Sequence, residues 1–224
     1  MPSGKYFISL CCTDVEIEPL ELTGESVGVD LGIKDLAVTS DGRKYENNKY
    51  IYNAEKKLRR LQRAQSRKKS GSANWEKNRV QVAKLQEKIA NQRKDNMHKV
   101  TTELVRQYDI ICIEDLNASG MVKNHHIAKA VEDASFFEFR RQLEYKAKWY
   151  GKYVSVVDKF YPSSQLCHCC GYQNPDVKNL TVRGWTCPQC GVTHDRDINA
   201  AINILNAGVQ CSETGDQSSE KKSA

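Results

Sequence analysis

Four cysteines in the last third of the sequence are arranged as two Cys-x2-Cys pairs. Cys167 and Cys170 form the first pair, and after sixteen intervening residues Cys187 and Cys190 form the second. A glycine directly follows each pair, which lets the chain turn and aim backbone amides at sulfur. Two such knuckles present four thiolates tetrahedrally, the preferred geometry of zinc. The spacing therefore predicts one structural zinc ion, and because four thiolates fill its coordination sphere, no catalytic zinc is expected.

Three further side chains near these pairs could also bind metal. Cys169 could replace Cys170 only by closing a tighter loop, so we expect Cys169 to stay unligated. His168 and His194 are spare candidates, but isolated histidines are more often surface residues. The competing interpretation, two redox-active dithiols, does not explain why both pairs have the same spacing.

Three acidic residues lie where predicted core elements end or begin. Asp30 ends an apolar strand, Glu114 ends a second one, and Asp197 opens a helix. One such residue alone is more often a cap or turn former, but three suggest carboxylates that the fold brings together. Clustered carboxylates favour hard divalent cations, and two ions about 3.5–4 Å apart can drive phosphodiester hydrolysis. The neighbouring Asp115 and Asp195 are expected to cap helices or support the ligands.

Positive charge is concentrated in one segment. Residues 54–107 contain 16 Lys and Arg against 5 Asp and Glu, whereas the rest of the sequence contains 18 against 23. This asymmetry fits a polyanionic partner, although a solvated helical face explains a charge run alone equally well. The candidate nucleic-acid contacts are clustered together, namely Arg59, Arg60, Arg63, Arg67 and Lys68.

The elements that must position these residues follow from the apolar periodicity. Alternating or β-branched runs predict strands over 5–18 (one or two strands), 26–31, 36–39, 43–46, 109–113 and 153–157. Helical spacing predicts two long helices within 54–107, one over 128–151 and one over 195–205, and Asn206–Gly208 is expected to end the last. This order of elements predicts an α/β fold with helices packed on a mixed sheet.

The composition excludes membrane proteins and argues against secretion. No apolar run is long enough to cross a bilayer, and the amino terminus does not resemble a signal peptide. We therefore expect a soluble cytoplasmic protein. Clustered cysteines in a reducing compartment are more often metal ligands than disulfides.

Four segments together resemble a known family. VGVDLGIKDLAVTSDG, IEDLN, FYPSSQLCHCCG and CPQCGVTHDRDINAAINIL are similar to the TnpB (OrfB) proteins of insertion sequences, which are relatives of the type V CRISPR effector nucleases. The resemblance covers residues 5–208. It rests on three acidic motifs in order, with a zinc ribbon directly before the third.

The resemblance implies an RNase H-like (RuvC) fold with an inserted helical hairpin and a zinc ribbon. It implies that Asp30, Glu114 and Asp197 bind magnesium or manganese as a catalytic triad, and that the protein cleaves DNA under the direction of a guide RNA. It further implies a prokaryotic host, in which the protein is associated with the nucleoid when bound to DNA. Arg196 could contact a phosphate. Ser163 and Ser164 could be structural or could line the substrate site.

The resemblance also implies a domain division. Residues 1–25 correspond to the last strands of an amino-terminal barrel, and 26–165 with 194–208 correspond to the nuclease domain, which includes the basic hairpin 54–107. The zinc ribbon is 166–193, and 209–224 is a polar tail that we expect to be disordered. Since the family has a long portion before the first aspartate, this chain corresponds to the nuclease half. A full-length relative or a second copy could then complete it.

Two alternative functions stay open at this point. The chain could be a non-catalytic nucleic-acid-binding subunit that pairs with a full-length relative or its guide RNA. It could also be a zinc-ribbon DNA-binding protein without enzymatic activity, although three acids at the ends of core elements argue against that.

Overall fold

The structure is a computed structural model that describes residues 1–13, 15–179 and 181–213. Two compact units are present. Met1–Ile17 and Asn48–Lys99 form the first, and the other described residues form the second. No helix within the described ranges is long and apolar enough to cross a membrane.

A five-stranded mixed sheet is the centre of the second unit. Its strands are β1 (Ser26–Leu31), β2 (Asp35–Thr39), β3 (Lys44–Glu46), β4 (Ile110–Glu114) and β5 (Tyr153–Val157), in the spatial order β3-β2-β1-β4-β5. The first three strands pair antiparallel, whereas β4 runs parallel to both β1 and β5. The predicted mixed α/β sheet is confirmed.

The two central strands are apolar because both faces of the sheet are covered. Val27 and Val29 on β1, and Ile111 and Ile113 on β4, are fully buried. Strands that are covered on both faces read as nearly continuous apolar runs, which is the pattern of these two segments.

The described residues also form six α-helices. They are α1 (Tyr50–Ser66), α2 (Ala73–Gln107), α3 (Ala118–Val122), α4 (Ala128–Ala134), α5 (Phe136–Tyr150) and α6 (Arg196–Glu213). A short hairpin of β6 (Gly184–Thr186) and β7 (Thr193–Asp195) carries the second cysteine pair. The predicted helix over 128–151 is interrupted because Ser135 adopts a left-handed conformation with φ 50°.

Helix α6 packs directly on β1, β4 and β5. Two glycines allow this close approach. A Cβ atom on Gly28 of β1 would lie 1.9 Å from the carbonyl oxygen of Ala201, and one on Gly208 would lie 2.4 Å from Cys112 Sγ. The predicted helix end at 206–208 is therefore wrong, because Gly208 serves close packing within a helix that continues to Glu213. Of the predicted disordered tail 209–224, residues 209–213 are helical, and the remainder lies outside the described residues.

The amino-terminal segment also differs from its prediction. The described residues up to position 25 contain no strand. Tyr6 and Ile8 are 96% and 90% exposed. Without a neighbouring strand to pair with, the apolar alternation over 5–18 does not form part of a sheet. The correspondence of 1–25 with terminal barrel strands is accordingly not found in this structure.

The first unit contains α1 and the part of α2 up to Lys99. The two predicted helices of the basic segment are thus confirmed, although α1 begins at Tyr50. The side chain of Asn78 donates a hydrogen bond to the carbonyl oxygen of Leu61 over 2.8 Å. Lys5 forms an ion pair of 2.7 Å with Glu87. No residue of α1 is buried, so its basic side chains face solvent.

Candidate active site and metal centre

The parallel pairing of β1 with β4 brings two of the predicted acids together. Val29 is opposite Ile113 in the register, so the next residues, Asp30 and Glu114, lie at the same end of the sheet. Both strands run in the same direction because the long helical insertion between them returns the chain to the start of the sheet. The carboxyl ends of parallel strands are a common position for functional side chains in α/β folds.

The third acid comes from the start of α6. Asp195 accepts hydrogen bonds from the backbone amides of Asp197 (3.0 Å) and Ile198 (3.2 Å), so it caps the helix as predicted. This cap fixes the first turn of α6, which carries Asp197. A recess of about 280 Å³ is lined by all three carboxylates, those of Asp30, Glu114 and Asp197. The structure therefore brings together the three acids that the sequence singled out.

The concentration of negative charge in this recess favours binding of a cation. Burial, and then repulsion from Glu114 and Asp197, raises the pKa of Asp30 well above its usual range, while Arg196 and Arg183 partly offset this. Burial also raises the pKa of Glu114, although a hydrogen bond from Ser163 acts in the opposite direction. Repulsion between neighbouring carboxylates is offset when a divalent cation is bound between them. Carboxylate oxygens are the ligands that Mg²⁺ and Mn²⁺ prefer, so the donor set fits such ions.

Two arginines line the same recess. Arg196, the predicted phosphate contact, is buried, and its Nη1 has no hydrogen-bond partner within the described part of the chain. Arg183 lies 3.4 Å from both carboxylate oxygens of Asp197. Arg183 is not among the residues predicted from the sequence, because nothing near it in the sequence indicates that the cysteine-containing segment folds back over the acids.

Glu114 accepts a hydrogen bond from Ser163, a residue for which the sequence left a structural and a substrate-lining role open. Ser163 is buried and its hydroxyl donates a hydrogen bond to Glu114 Oε1. Ser164 also lines the recess. Asp115, the other acid of its motif, instead forms a 2.7 Å ion pair with Arg140 on α5, in an adjoining recess that Glu114 also lines.

The four paired cysteines also meet in space. The sulfur atoms of Cys167, Cys170, Cys187 and Cys190 all lie within 4.8 Å of one another. Two of the sulfur pairs, 167 with 190 and 170 with 187, are 3.6 Å apart. A tetrahedron with Zn–S bonds of about 2.3 Å has sulfur separations close to these values. The cysteines are free thiols rather than disulfides, so the set could hold a zinc ion.

Backbone amides support this set of thiols. Burial acts to raise the pKa of Cys187, but hydrogen bonds from the amides of Cys190 and Gln189, together with neighbouring thiols, outweigh it and lower the pKa to about 7. Such amides stabilise the thiolate form, which is the form that binds metal. Gly171 and Gly191 both have positive φ, 75° and 74°, as the turns after the two pairs require.

The other metal-binding candidates of this region differ in position, since Cys169 is exposed whereas His194 and His168 pack beside the cysteines. Cys169 is exposed and stands outside the set of four sulfurs, as expected. His194 is buried rather than on the surface, and its Nε2 lies 3.1 Å from Cys167 Sγ. His168 packs against the His194 ring with centroids 4.8 Å apart. The expectation of surface histidines was thus wrong for His194, because the side chain fills the small core of the β6–β7 hairpin.

Five of the predicted nucleic-acid contacts lie in the second half of α1 and directly after it. Arg59, Arg60, Arg63 and Arg67 are exposed and line a recess of about 1120 Å³, and Lys68 follows in the loop. Arg59 also pairs with Glu55 over 2.6 Å. The surface has a strong positive charge and contains the exposed ring of Tyr52.

Comparison with known proteins identifies the family. Residues 9–125 match the family OrfB_IS605, described as "Probable transposase", and residues 136–204 match "Cas12f1-like, TNB domain". The first match alone covers more than half of the chain. The chain belongs to the OrfB_IS605 transposase family, which confirms the resemblance to TnpB (OrfB) proteins.

Curated relatives carry a more specific description. A "Putative RNA-guided DNA endonuclease" from Streptomyces pristinaespiralis is 44% identical over 214 residues, which are 96% of this chain and 52% of the relative. InsQ of Escherichia coli K12, with the same description, is 36% identical over 220 residues, which are 92% of this chain and 54% of InsQ. The chain spans about half the length of these relatives.

A solved structure supports the fold. The chain superposes with a TM-score of 0.59 on Cas12f1 in the cryo-EM structure of the Cas12f1–sgRNA–target DNA complex. The sequence identity is 20%, and the match covers 80% of this chain and 49% of Cas12f1. The likeness shows a shared α/β fold, which is consistent with the predicted RNase H-like (RuvC) arrangement. The finer division into a nuclease domain of 26–165 and 194–208 and a ribbon of 166–193 stays a prediction.

Proposed function

We propose that this chain is the nuclease portion of an RNA-guided DNA endonuclease and hydrolyses DNA phosphodiesters with divalent cations. The observation that carries the proposal is the convergence of Asp30, Glu114 and Asp197, from β1, β4 and α6, in one recess. The description of the relatives as RNA-guided DNA endonucleases supports the choice of substrate.

Each residue of the recess has a distinct task in this proposal. The three carboxylates hold Mg²⁺ or Mn²⁺, which when bound supply water activation and neutralise charge on the leaving oxygen. Ser163 orients Glu114 through its hydroxyl. Arg196 and Arg183 stand beside the acids and bind the scissile phosphate, whose negative charge their guanidinium groups match. The buried Nη1 of Arg196 lacks a hydrogen-bond partner within the described residues, and this supports the assignment.

The cysteine cluster has a structural task. Cys167, Cys170, Cys187 and Cys190 bind one zinc ion, which holds the two knuckles and the β6–β7 hairpin together. β7 ends at Asp195, and α6 begins at the next residue, so the hairpin leads directly into the first turn of α6. The zinc ion therefore stabilises the segment that delivers Asp197 rather than taking part in hydrolysis.

The proposed partners are a DNA substrate and a guide RNA. Their backbones bind Arg59, Arg60, Arg63, Arg67 and Lys68 through phosphate contacts. A full-length relative or a second copy of this chain is a further proposed partner. The proposed location is the cytoplasm of a prokaryotic cell, at the nucleoid when the protein is bound to DNA.

The test is a cleavage assay with three substrates: single-stranded DNA, duplex DNA that matches the guide, and unmatched duplex DNA. Each is incubated with the chain and Mg²⁺, with and without its co-purified RNA or a full-length relative. We expect cleavage that EDTA stops and that Asp30→Asn abolishes, while binding of labelled DNA persists. Asp158→Asn, which changes an exposed aspartate outside the recess, is the matched control. Cleavage at the wild-type rate by Asp30→Asn would refute the assignment of the three acids.

The alternative function is a nucleic-acid-binding subunit without catalysis, which the basic face of α1 favours. Both functions predict a steep fall of affinity with salt, since each phosphate contact contributes a slope of about 0.7–0.9 in log K against log salt. Replacing Arg60 and Arg63 by Gln should reduce the magnitude of that slope by the contribution of about two phosphate contacts. Lys148→Gln, on the exposed face of α5, should leave it unchanged. Nucleic-acid binding with no cleavage under any of the metal and RNA conditions above would favour the alternative.

A further inference from the structure

Two asparagines on α6 hold a segment that joins the acidic recess to the cysteine cluster. Asn199 and Asn203 are 1% and 4% exposed, one helical turn apart on the same face. A buried polar side chain costs free energy unless its hydrogen bonds are satisfied. Their placement among the apolar residues Ala200, Ala201 and Ile204 therefore indicates that their hydrogen bonds, and not packing alone, determine their role.

Asn199 forms hydrogen bonds with the backbone on both sides of Cys167, one of the four clustered cysteines. Its Nδ2 donates to the carbonyl oxygen of Leu166 over 2.7 Å, and its Oδ1 accepts from the backbone amide of His168 over 3.1 Å. Leu166 and His168 are the residues immediately before and after Cys167. The same Oδ1 lies 2.9 Å from His168 Nδ1. One amide group thus fixes the backbone at which Cys167 joins the sulfur cluster.

Asn203 holds the other end of the segment. Its Nδ2 donates to the carbonyl oxygens of Ser163 (2.8 Å) and Leu166 (2.7 Å). Ser163 in turn donates its hydroxyl to Glu114. The segment 163–168 therefore carries the orienting group of one acid at its beginning and a sulfur ligand near its end, and both ends are fastened to α6.

The third acid is on the same helix. Asp197 stands two residues before Asn199 in the first turn of α6. His194, which contacts Cys167 Sγ, directly precedes the capping residue Asp195. The sulfur cluster and the carboxylates are thus connected by two routes, through the segment 163–168 and through β7, and α6 takes part in both.

We infer that Asn199 and Asn203 are positioning residues that couple occupancy of the cysteine cluster to divalent-cation affinity at Asp30, Glu114 and Asp197. The inference rests on the proposed function. With zinc bound, Cys167 is fixed, and the asparagines transmit that constraint to Ser163 and so to the carboxylate of Glu114. Groups that orient metal ligands through hydrogen bonds typically change affinity by about 10–100-fold when they are removed.

The experiment measures Mn²⁺ affinity in the full chain by electron paramagnetic resonance, with zinc content determined in parallel. Zinc-loaded wild-type protein should bind Mn²⁺ about tenfold more tightly than chelator-stripped protein. Asn203→Leu should bind Mn²⁺ about tenfold more weakly even when loaded with zinc, and stripping should then cause little further loss. Ser163→Ala, a smaller change, should give the same weakening with its zinc content intact.

Two controls separate positioning from stability. Asn206→Leu changes an exposed asparagine of the same helix and should bind Mn²⁺ like wild type. Ile204→Val removes a methylene group from a fully buried neighbour, so it should lower the melting temperature without changing Mn²⁺ affinity. If Asn203→Leu fails to fold, Ser163→Ala and the stripped wild type still decide the matter.

The outcomes distinguish this inference from the proposed function. Wild-type Mn²⁺ binding that Asp30→Asn removes, together with unchanged affinity in folded Asn203→Leu and Ser163→Ala, would overturn the coupling and leave the nuclease proposal standing. Equal Mn²⁺ affinity in zinc-loaded and stripped wild type would also overturn it. Failure of the wild type to bind Mn²⁺ at all would refute both.

Discussion

Arg183 Nη1 lies 3.4 Å from both carboxylate oxygens of Asp197, although the two residues belong to different structural elements. Arg183 immediately precedes β6 in the cysteine-containing region, whereas Asp197 is on α6. The ion pair is half exposed on the arginine side, so its contribution to stability is small. Its position above the acids instead points to a role toward the bound substrate.

Arg183→Ala is therefore expected to impair cleavage far more than folding. Loss of a charge that binds the reacting phosphate typically lowers the rate by about 100–1,000-fold. The melting temperature and the zinc content should stay near those of wild type. Lys178→Ala, an exposed cation earlier in the same region, serves as the matched control. A variant that cleaves DNA at the wild-type rate would remove Arg183 from the site.

Removal of zinc should unfold the cysteine-containing region locally. Its core consists of little more than Val177, Trp185 and two of the cysteines, with Tyr172 and Val182 packed around them. A core of this size does not stabilise a fold without a further link, so the metal supplies folding free energy. In a chain whose Trp75 and Trp149 are replaced by Phe, chelation should shift Trp185 fluorescence to longer wavelength.

Metal analysis provides the control for that experiment. Cys169→Ser should retain one zinc ion per chain, since the exposed Cys169 lies outside the sulfur cluster. Cys187→Ser should lose it. Zinc-free wild-type protein with an unchanged Trp185 environment would instead support the dithiol interpretation.

Asp109 gives a prediction about pH and stability. It accepts hydrogen bonds from the amides of Thr23 (3.0 Å) and Gly24 (2.7 Å), and it pairs with Lys152, whose side chain is fully buried. Burial acts to raise the pKa of Asp109, but the bond from Lys152 and the two amides outweigh it and lower the pKa to about 2. The carboxylate therefore stabilises the fold above its unfolded pKa of about 4, and this contribution is lost as the pH falls toward about 2.

The expected contribution of Asp109 is about 1–2 kcal/mol, less than the full shift implies because its outer side meets water. Asp109→Asn should lower the free energy of unfolding at neutral pH and flatten its dependence on pH between about 4 and 2. Urea unfolding at a series of pH values measures this. Glu18→Gln, at an exposed position, should leave the curve unchanged. An equally steep curve in Asp109→Asn would contradict the assignment.

Much of the site could be predicted from the sequence because it depends on short-range patterns. The paired spacing of Cys167, Cys170, Cys187 and Cys190 is typical of a tetrahedral set of metal ligands. Asp30 and Glu114 end strands that are recognisable by their apolar residues, and parallel pairing of those strands brings them to one edge of the sheet.

The parts that could not be predicted depend on long-range contacts. Arg183 reaches the acids only because the cysteine-containing segment folds over the sheet. Asn199 and Asn203 are at helical spacing in the sequence, a signal that a buried polar face exists, but their acceptors lie more than thirty residues earlier. The sequence predicts a helix stop at Gly208, since local sequence does not show that Cys112 packs against this glycine.

The most direct test of the central claim is anomalous diffraction from crystals of the zinc-loaded chain soaked in Mn²⁺. We expect a manganese peak bounded by Asp30, Glu114 and Asp197, and a separate zinc peak within the four sulfur atoms. Asp30→Asn crystals should lose or weaken the manganese peak and keep the zinc peak. Manganese bound elsewhere, with the three carboxylates free of metal at saturating concentration, would refute the assignment of these acids as cation ligands.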